Sequence, residues 1–285
     1  MSQQEKHVLL EKMDCAYLDK GEGAAVVLVH GWGQSKSYWQ SVLEQGQLDH
    51  RFIAYDIRGM GSSGLTKRYR FNDLVEDLRE FLDAMRIDDA IICGHSLGSL
   101  IALRFASKYP ARTLGVISTA GPADSDWIAG RYISVLTGSF LELLRLCGVK
   151  MPHKFLRRTL QKSWFSDVFG ETARQEVKRQ WSLFVKNNNP SGLARALFAM
   201  GGRGKTERIE TPVFAIYGEK DRAVPPKGYN ELVQKCVILD HTVMCGTGHM
   251  LCVERDDEFL GAFADGLVFI KNENARRSSN RATSG

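Results

Sequence analysis

Apolar and polar positions repeat on two different periods along this chain. Residues 25–30 (Ala-Val-Val-Leu-Val-His) form an unbroken β-branched and apolar run, the signature of a strand buried on both faces. Runs at 52–56, 89–94, 114–120 and 213–218 share that character, and 236–240 is a weaker sixth. Between them the period lengthens. Leu74, Leu78, Phe81, Leu82 and Met85 recur at three and four residues, predicting a helix capped by Asn72. A second helix is predicted over 97–109, where Pro110 ends it. The alternating stretch 7–23 predicts a hairpin at a sheet edge. Strands that alternate with helices imply βαβ units and a mainly parallel sheet.

Residues 123–190 break this rhythm. Their apolar anchors are Trp127, Leu136, Leu141, Leu144, Trp164, Phe165, Trp181 and Phe184, and they lie between two strands of one sheet. A structureless loop of that length does not suit a compact domain, so the segment is expected to form a helical layer of its own.

Composition narrows the class. A chain of 285 residues, 44% hydrophobic, suits one α/β domain with an insertion. No apolar run nears the roughly 20 residues that cross a bilayer, and the polar start Met1-Ser2-Gln3-Gln4-Glu5-Lys6 lacks a signal-peptide core. Six irregularly spaced cysteines (15, 93, 147, 236, 245, 252) suggest neither a disulfide framework nor paired zinc ligands. A cytoplasmic protein is expected. Of the net charge of +5, the segment 271–285 supplies +3, through Lys271, Arg276, Arg277 and Arg281 against Glu273. That segment is nearly devoid of apolar residues and is expected to be a disordered basic tail. The remaining body is almost balanced, which argues against nucleic acid as a partner.

The chemistry gathers at strand ends. Gly94-His95-Ser96-Leu97-Gly98 stands between an apolar strand and an amphipathic helix, the setting of a nucleophile elbow that projects the Ser96 hydroxyl. His30-Gly31-Trp32-Gly33 follows the first long strand, and its glycines allow a backbone N–H to face a shared cavity. The Trp32 and Leu97 N–H groups are the expected oxyanion donors, with the His30 side chain bracing the loop. Asp221 lies just past the strand 213–218, where it can orient a histidine, and Gly246-Thr247-Gly248-His249 supplies one. The order Ser96, Asp221, His249, with an oxyanion loop upstream, forms a complete acyl-transfer set. Cys245, His249 and Cys252 could be drawn as a metal cluster, but the histidine already has a role. Neither a metal nor a cofactor is expected.

With these motifs the chain resembles the α/β-hydrolase superfamily over about residues 6–270. The resemblance implies a mostly parallel eight-stranded sheet with helices on both faces, a helical cap inserted after the sixth strand, and a Ser-His-Asp triad. Asp56-Ile57-Arg58-Gly59-Met60-Gly61-Ser62-Ser63 matches the family's D-x-R-G-x-G-x-S loop. Ser99 stands where many members have glycine, and Asp124 and Asp126 lie where some relatives place the acid. The division that follows is a core of 1–122 and 191–270, a cap of 123–190 and a tail of 271–285. The chain is also similar to the methyl-ester esterases of the biotin-precursor type, which share HGWG and a cap.

The expected activity is hydrolysis of a carboxylic ester or thioester of a small to medium acyl group through an acyl-enzyme. Cofactor-free haloperoxidase or C–C bond hydrolase chemistry could use the same triad, and a non-enzymatic ligand receptor could retain it. A serine at 96 argues against dehalogenase or epoxide hydrolase chemistry, where relatives carry aspartate. Between 145 and 162 the cap holds Arg145, Lys150, Lys154, Arg157, Arg158 and Lys162 and no acid. Such a run is either a solvated helix face or a rim that attracts an anionic substrate or an acidic carrier protein.

Overall fold

The computed structural model describes residues 4–45, 50–122, 175–200, 206–224 and 227–283. Two antiparallel strands, β1 (Lys6–Leu9) and β2 (Asp14–Lys20), form the expected edge hairpin. β3 (Ala24–Val29) leads through a short 3₁₀ turn (Lys36–Trp39) and α1 (Gln40–Gln45) to β4 (His50–Tyr55) and α2 (Phe71–Ala84). β5 (Ala90–His95), α3 (Leu97–Lys108) and β6 (Thr113–Thr119) follow. Two helices, α4 (Gln175–Asn187) and α5 (Pro190–Met200), precede β7 (Val213–Gly218). The chain closes with α6 (Lys227–Lys235), β8 (Leu239–Met244), α7 (Leu251–Glu254) and α8 (Asp256–Thr283).

The eight strands lie in the order β1-β2-β4-β3-β5-β6-β7-β8, parallel from β4 onward. β3, β5 and β7 are buried at nearly every position, which is why their sequences read as continuous apolar runs rather than alternating ones. From β3 the chain moves outward to β4 on one side. From β5 it moves to β6 on the other. The connections therefore diverge above the carboxyl ends of β3 and β5, and that crevice is where open α/β sheets place their ligands.

Three expectations need correction. α2 is not capped by Asn72: Asp73 reaches back to accept the Arg70 N–H at 2.8 Å, so the helix begins at Phe71. The last strand is Leu239–Met244, paired with Val213–Gly218, rather than 236–240. Its Asp240, His241 and Val243 are exposed at the sheet edge, so it lacks the apolar run that marks a central strand. Cys236 instead forms an isolated bridge with Ile209. The basic tail is not disordered as far as Thr283 but continues α8. Phe259, Phe263, Leu267 and Ile270 are buried and seed that helix, and no proline or glycine interrupts it from Val268 to Thr283. Asn274 Nδ2 donates to the Leu114 carbonyl at 2.9 Å, and Arg276 pairs with Glu273 at 2.6 Å.

The bulk of the segment 123–190, with Arg145 to Lys162 and both Asp124 and Asp126, falls outside the described residues. Among the described residues no helix is long and apolar enough to cross a membrane, and all described cysteines are free.

Candidate active site

Ser96 joins β5 to α3 at φ 52° and ψ −109°, a left-handed conformation that non-glycine residues seldom adopt. The flanking glycines make the turn fit. A Cβ on Gly94 would lie 2.2 Å from the Gly98 carbonyl oxygen, and one on Gly98 only 2.0 Å from that of Val29. Strand and helix therefore approach with no room for a side chain at either position. The Ser96 N–H donates to the Thr119 carbonyl at 2.9 Å, which pins the turn to β6. Leu97 is the first residue of α3, so no helical carbonyl lies one turn behind to take its N–H. Ser99 is buried, and its hydroxyl bonds that of Ser118 at 2.6 Å. Gly121 leaves the space that Ser99 fills.

The loop after β3 holds Trp32, with Gly33 at φ 74°. Ile57 N–H donates to His30 Nε2 at 3.0 Å, so His30 carries its proton on Nδ1 and donates it to the Gly31 carbonyl at 2.8 Å. Full burial pushes the His30 pKa below its ordinary value, and the neutral ring ties the two loops together as expected of a brace.

Asp221 follows β7 in a tight turn. Its Oδ1 accepts the N–H groups of Ala223 at 2.8 Å and Val224 at 2.9 Å, while Oδ2 lies 2.8 Å from His249 Nδ1. Both side chains are buried. A neutral His249 bonded in this way holds its proton on Nδ1 and leaves Nε2 as an acceptor. Glu254 braces the histidine loop on both sides, accepting Gly248 N–H at 2.7 Å and Met250 N–H at 3.0 Å.

Two further residues join these parts. His95 Nε2 donates to the His249 carbonyl at 2.9 Å, and its ring lies 4.9 Å from that of His249 and 4.4 Å from that of Tyr38. Burial, aided by the neighbouring His249, drives the His95 pKa well below the usual histidine range. Gln34 Oε1 accepts the Gly31 N–H at 2.6 Å, and its Nε2 reaches Met250 Sδ at 3.3 Å. The elbow, the loop after β3 and the His249 loop are thus one hydrogen-bonded unit. The bracing roles of His95, Gln34 and Glu254 are absent from the motifs read in the sequence. His95 lies inside the elbow motif, whereas Gln34 and Glu254 carry no local signal. Among the described residues no group of three or more histidine, cysteine or carboxylate side chains is arranged to hold a metal.

A sheet of this topology with a strained serine turn at its switch point defines an α/β hydrolase. Residues 24–256 match the family model described as the alpha/beta hydrolase fold, and the chain belongs to that family. It is similar to the pimeloyl-[acyl-carrier protein] methyl ester esterase of Nitrosospira multiformis, at 30% identity over 251 residues, covering 84% of this chain and 93% of that protein. It is 25% identical over 251 residues to 3-oxoadipate enol-lactonase 1 of Acinetobacter baylyi, covering 87% of this chain and 89% of that protein. Among solved structures, a thermophilic esterase from Thermogutta terrifontis superposes with a TM-score of 0.77 at 20% identity, over 94% of this chain and 99% of the other. At that identity the superposition speaks for the fold alone.

Proposed function

We propose that this chain is a serine hydrolase that cleaves a carboxylic ester or thioester of a small to medium acyl group through an acyl-enzyme. The carrying observation is the buried Asp221–His249 bond of 2.8 Å, joined through His95 to the turn that presents Ser96. In this reading Ser96 Oγ attacks the carbonyl carbon while His249 Nε2 takes its proton. The carbonyl π pair moves to oxygen, and the oxyanion accepts hydrogen bonds from the Trp32 and Leu97 N–H groups. Collapse expels the alcohol or thiol, protonated by His249. Water, deprotonated by the same ring, then releases the acid and restores Ser96. Asp221 keeps the proton on Nδ1 and stabilises the imidazolium.

The two sequence relatives carry names for acyl–oxygen cleavage, one of a carrier-linked methyl ester and one of an enol-lactone, which supports an ester as the bond class. The residues 123–190 are proposed as the cap that selects the acyl group, and the basic run Arg145 to Lys162 as the face that would receive an acidic carrier protein. A fluorophosphonate probe tests the nucleophile, followed by an ester panel graded by acyl chain and leaving group. Labelling at Ser96, abolished in Ser96→Ala along with turnover, is expected. A folded protein that hydrolyses esters with Ser96 unlabelled would overturn the assignment. Ligand binding without turnover on any ester would favour a receptor instead.

A further inference from the structure

The chain that returns toward the sheet through residues 188–193 makes contacts that the fold alone does not require. Asn188 is only 3% exposed, just beyond the last residue of α4. Its Nδ2 lies 2.9 Å from the Gly33 carbonyl oxygen, 3.1 Å from that of Gln34 and 2.6 Å from that of Phe184. Its Oδ1 accepts the Gly61 N–H at 2.6 Å. One amide orientation satisfies all four contacts. Two hydrogens serve three carbonyls, with one shared between the adjacent carbonyls of Gly33 and Gln34. Further along, the Leu193 carbonyl accepts the Trp32 Nε1–H at 2.9 Å. The same leg is seated without slack, because a Cβ on Gly192 would lie 1.9 Å from the Gly59 carbonyl oxygen.

Trp32, Gly33 and Gln34 are thus each tied to a segment more than 150 residues away in sequence. From within the loop, Gln34 Oε1 holds the Gly31 N–H. The peptide that carries the Trp32 N–H is therefore held on one side by Gln34 and on the other by Asn188. We infer that Asn188 is a positioning residue for the oxyanion loop, with the Leu193 carbonyl as its second anchor. This rests on the oxyanion role proposed for Trp32. An N–H aimed at developing charge is effective only if it needs no reorganisation as the charge forms, and a bracket supplies that fixity.

Asn188→Asp keeps the shape and removes both donated hydrogens, setting a carboxylate oxygen against three carbonyls. With p-nitrophenyl butyrate as substrate, kcat should fall about 10- to 100-fold while KM stays within about threefold. Affinity for a trifluoromethyl ketone, whose serine adduct carries an oxyanion, should fall in the same proportion. Trp32→Phe should show a smaller loss in the same direction. A folded Asn188→Asp protein with wild-type kcat, or one whose activity falls while inhibitor affinity stands, overturns the inference. Should Asn188→Asp fail to fold, Asn188→Ser and Trp32→Phe carry the test, and wild-type kcat and inhibitor affinity in both overturn it. Ser96→Ala separates the two levels. Turnover that survives Ser96→Ala sinks the hydrolase reading, whereas a dead Ser96→Ala beside a fully active Asn188→Asp sinks only the bracket.

Discussion

Asp221 accepts three hydrogen bonds, two of them from the backbone of its own turn. An amide in its place keeps the volume but can offer only one oxygen as an acceptor. Asp221→Asn would set an N–H₂ against either two backbone N–H groups or His249 Nδ1. The turn wins that contest with two bonds to one, so the amide nitrogen faces the ring and favours the wrong tautomer. We expect kcat to fall by about 10⁴-fold with the protein still folded, measured by steady-state kinetics beside circular dichroism. A loss below tenfold would mean that another acid orients His249. At this scale the motif residues were legible because each stands in an unusual local setting: a serine between glycines at a strand end, a histidine among glycines. Gln34, Glu254 and Asn188 were not, because an amide or carboxylate that bonds distant backbone leaves no pattern in its own neighbourhood.

Among the elements, the β1–β2 hairpin depends on charge. Lys36 lies 2.6 Å from Glu5, and this bond holds the Glu5 pKa down to about 2 from 4.5. Asp14 at 2.7 Å and Glu5 at 3.2 Å raise the His7 pKa above 6.5. The signs are opposite. The Glu5 contribution is complete above 4.5 and fades as pH falls toward 2, whereas the His7 contribution is complete below 6.5 and fades as pH rises past its raised value. Both act together between about 4.5 and 6.5. The Tm difference between wild type and Glu5→Gln/His7→Gln should be widest in that window and shrink on either side, and a pH-independent difference would refute the assignment. These groups are exposed, so the effect is expected to be small.

The terminal helix α8 offers a sharper contrast. Ile270 is fully buried against Gly115, where a Cβ would lie 2.6 Å from its side chain. Ile270→Ala should cost about 2–5 kcal/mol in urea unfolding. Truncation after Ala275, which spares Asn274, should cost less than about 0.5 kcal/mol. Equal losses would mean that the exposed end packs on something. The sequence pattern placed this segment among disordered tails because composition registers the absence of apolar residues. It does not register that a helix already seeded by buried phenylalanines is extended at little cost when no proline or glycine between Gly266 and Thr283 stops it.

For the molecule as a whole, the sheet was readable and the site's assembly was only half so. Central strands buried on both faces announce themselves. The edge strand Leu239–Met244 does not, since Asp240, His241 and Val243 face outward. Chain order suggested the roles proposed for Ser96, Asp221 and His249, but the bonds that unite their loops span 28 residues from Asp221 to His249, 154 from His95 to His249 and 216 from Gln34 to Met250, and no local window contains both ends. Charge also belongs to this scale. If the acyl group arrives on an acidic carrier protein, kcat/KM for a carrier-linked methyl ester should fall as salt rises through about 0.1 M, where screening acts within roughly 10 Å. With p-nitrophenyl butyrate it should stay flat. Arg157→Ala/Arg158→Ala should lower only the first, and equal salt dependence for both substrates would exclude a carrier.

The contact between Asn274 and Leu114 fixes the direction in which α8 leaves the body. Leu114 opens β6 at its amino end, whereas Ser96, Asp221 and His249 gather beyond the carboxyl ends of the strands. The helix therefore emerges on the face opposite the site and extends about 20 Å past Ile270, at 1.5 Å per residue. A fluorophore, an affinity tag or a solid support joined after Thr283 would stand on a built-in spacer behind the molecule. The route to Ser96 would stay clear, which makes this end the natural handle for immobilising the protein.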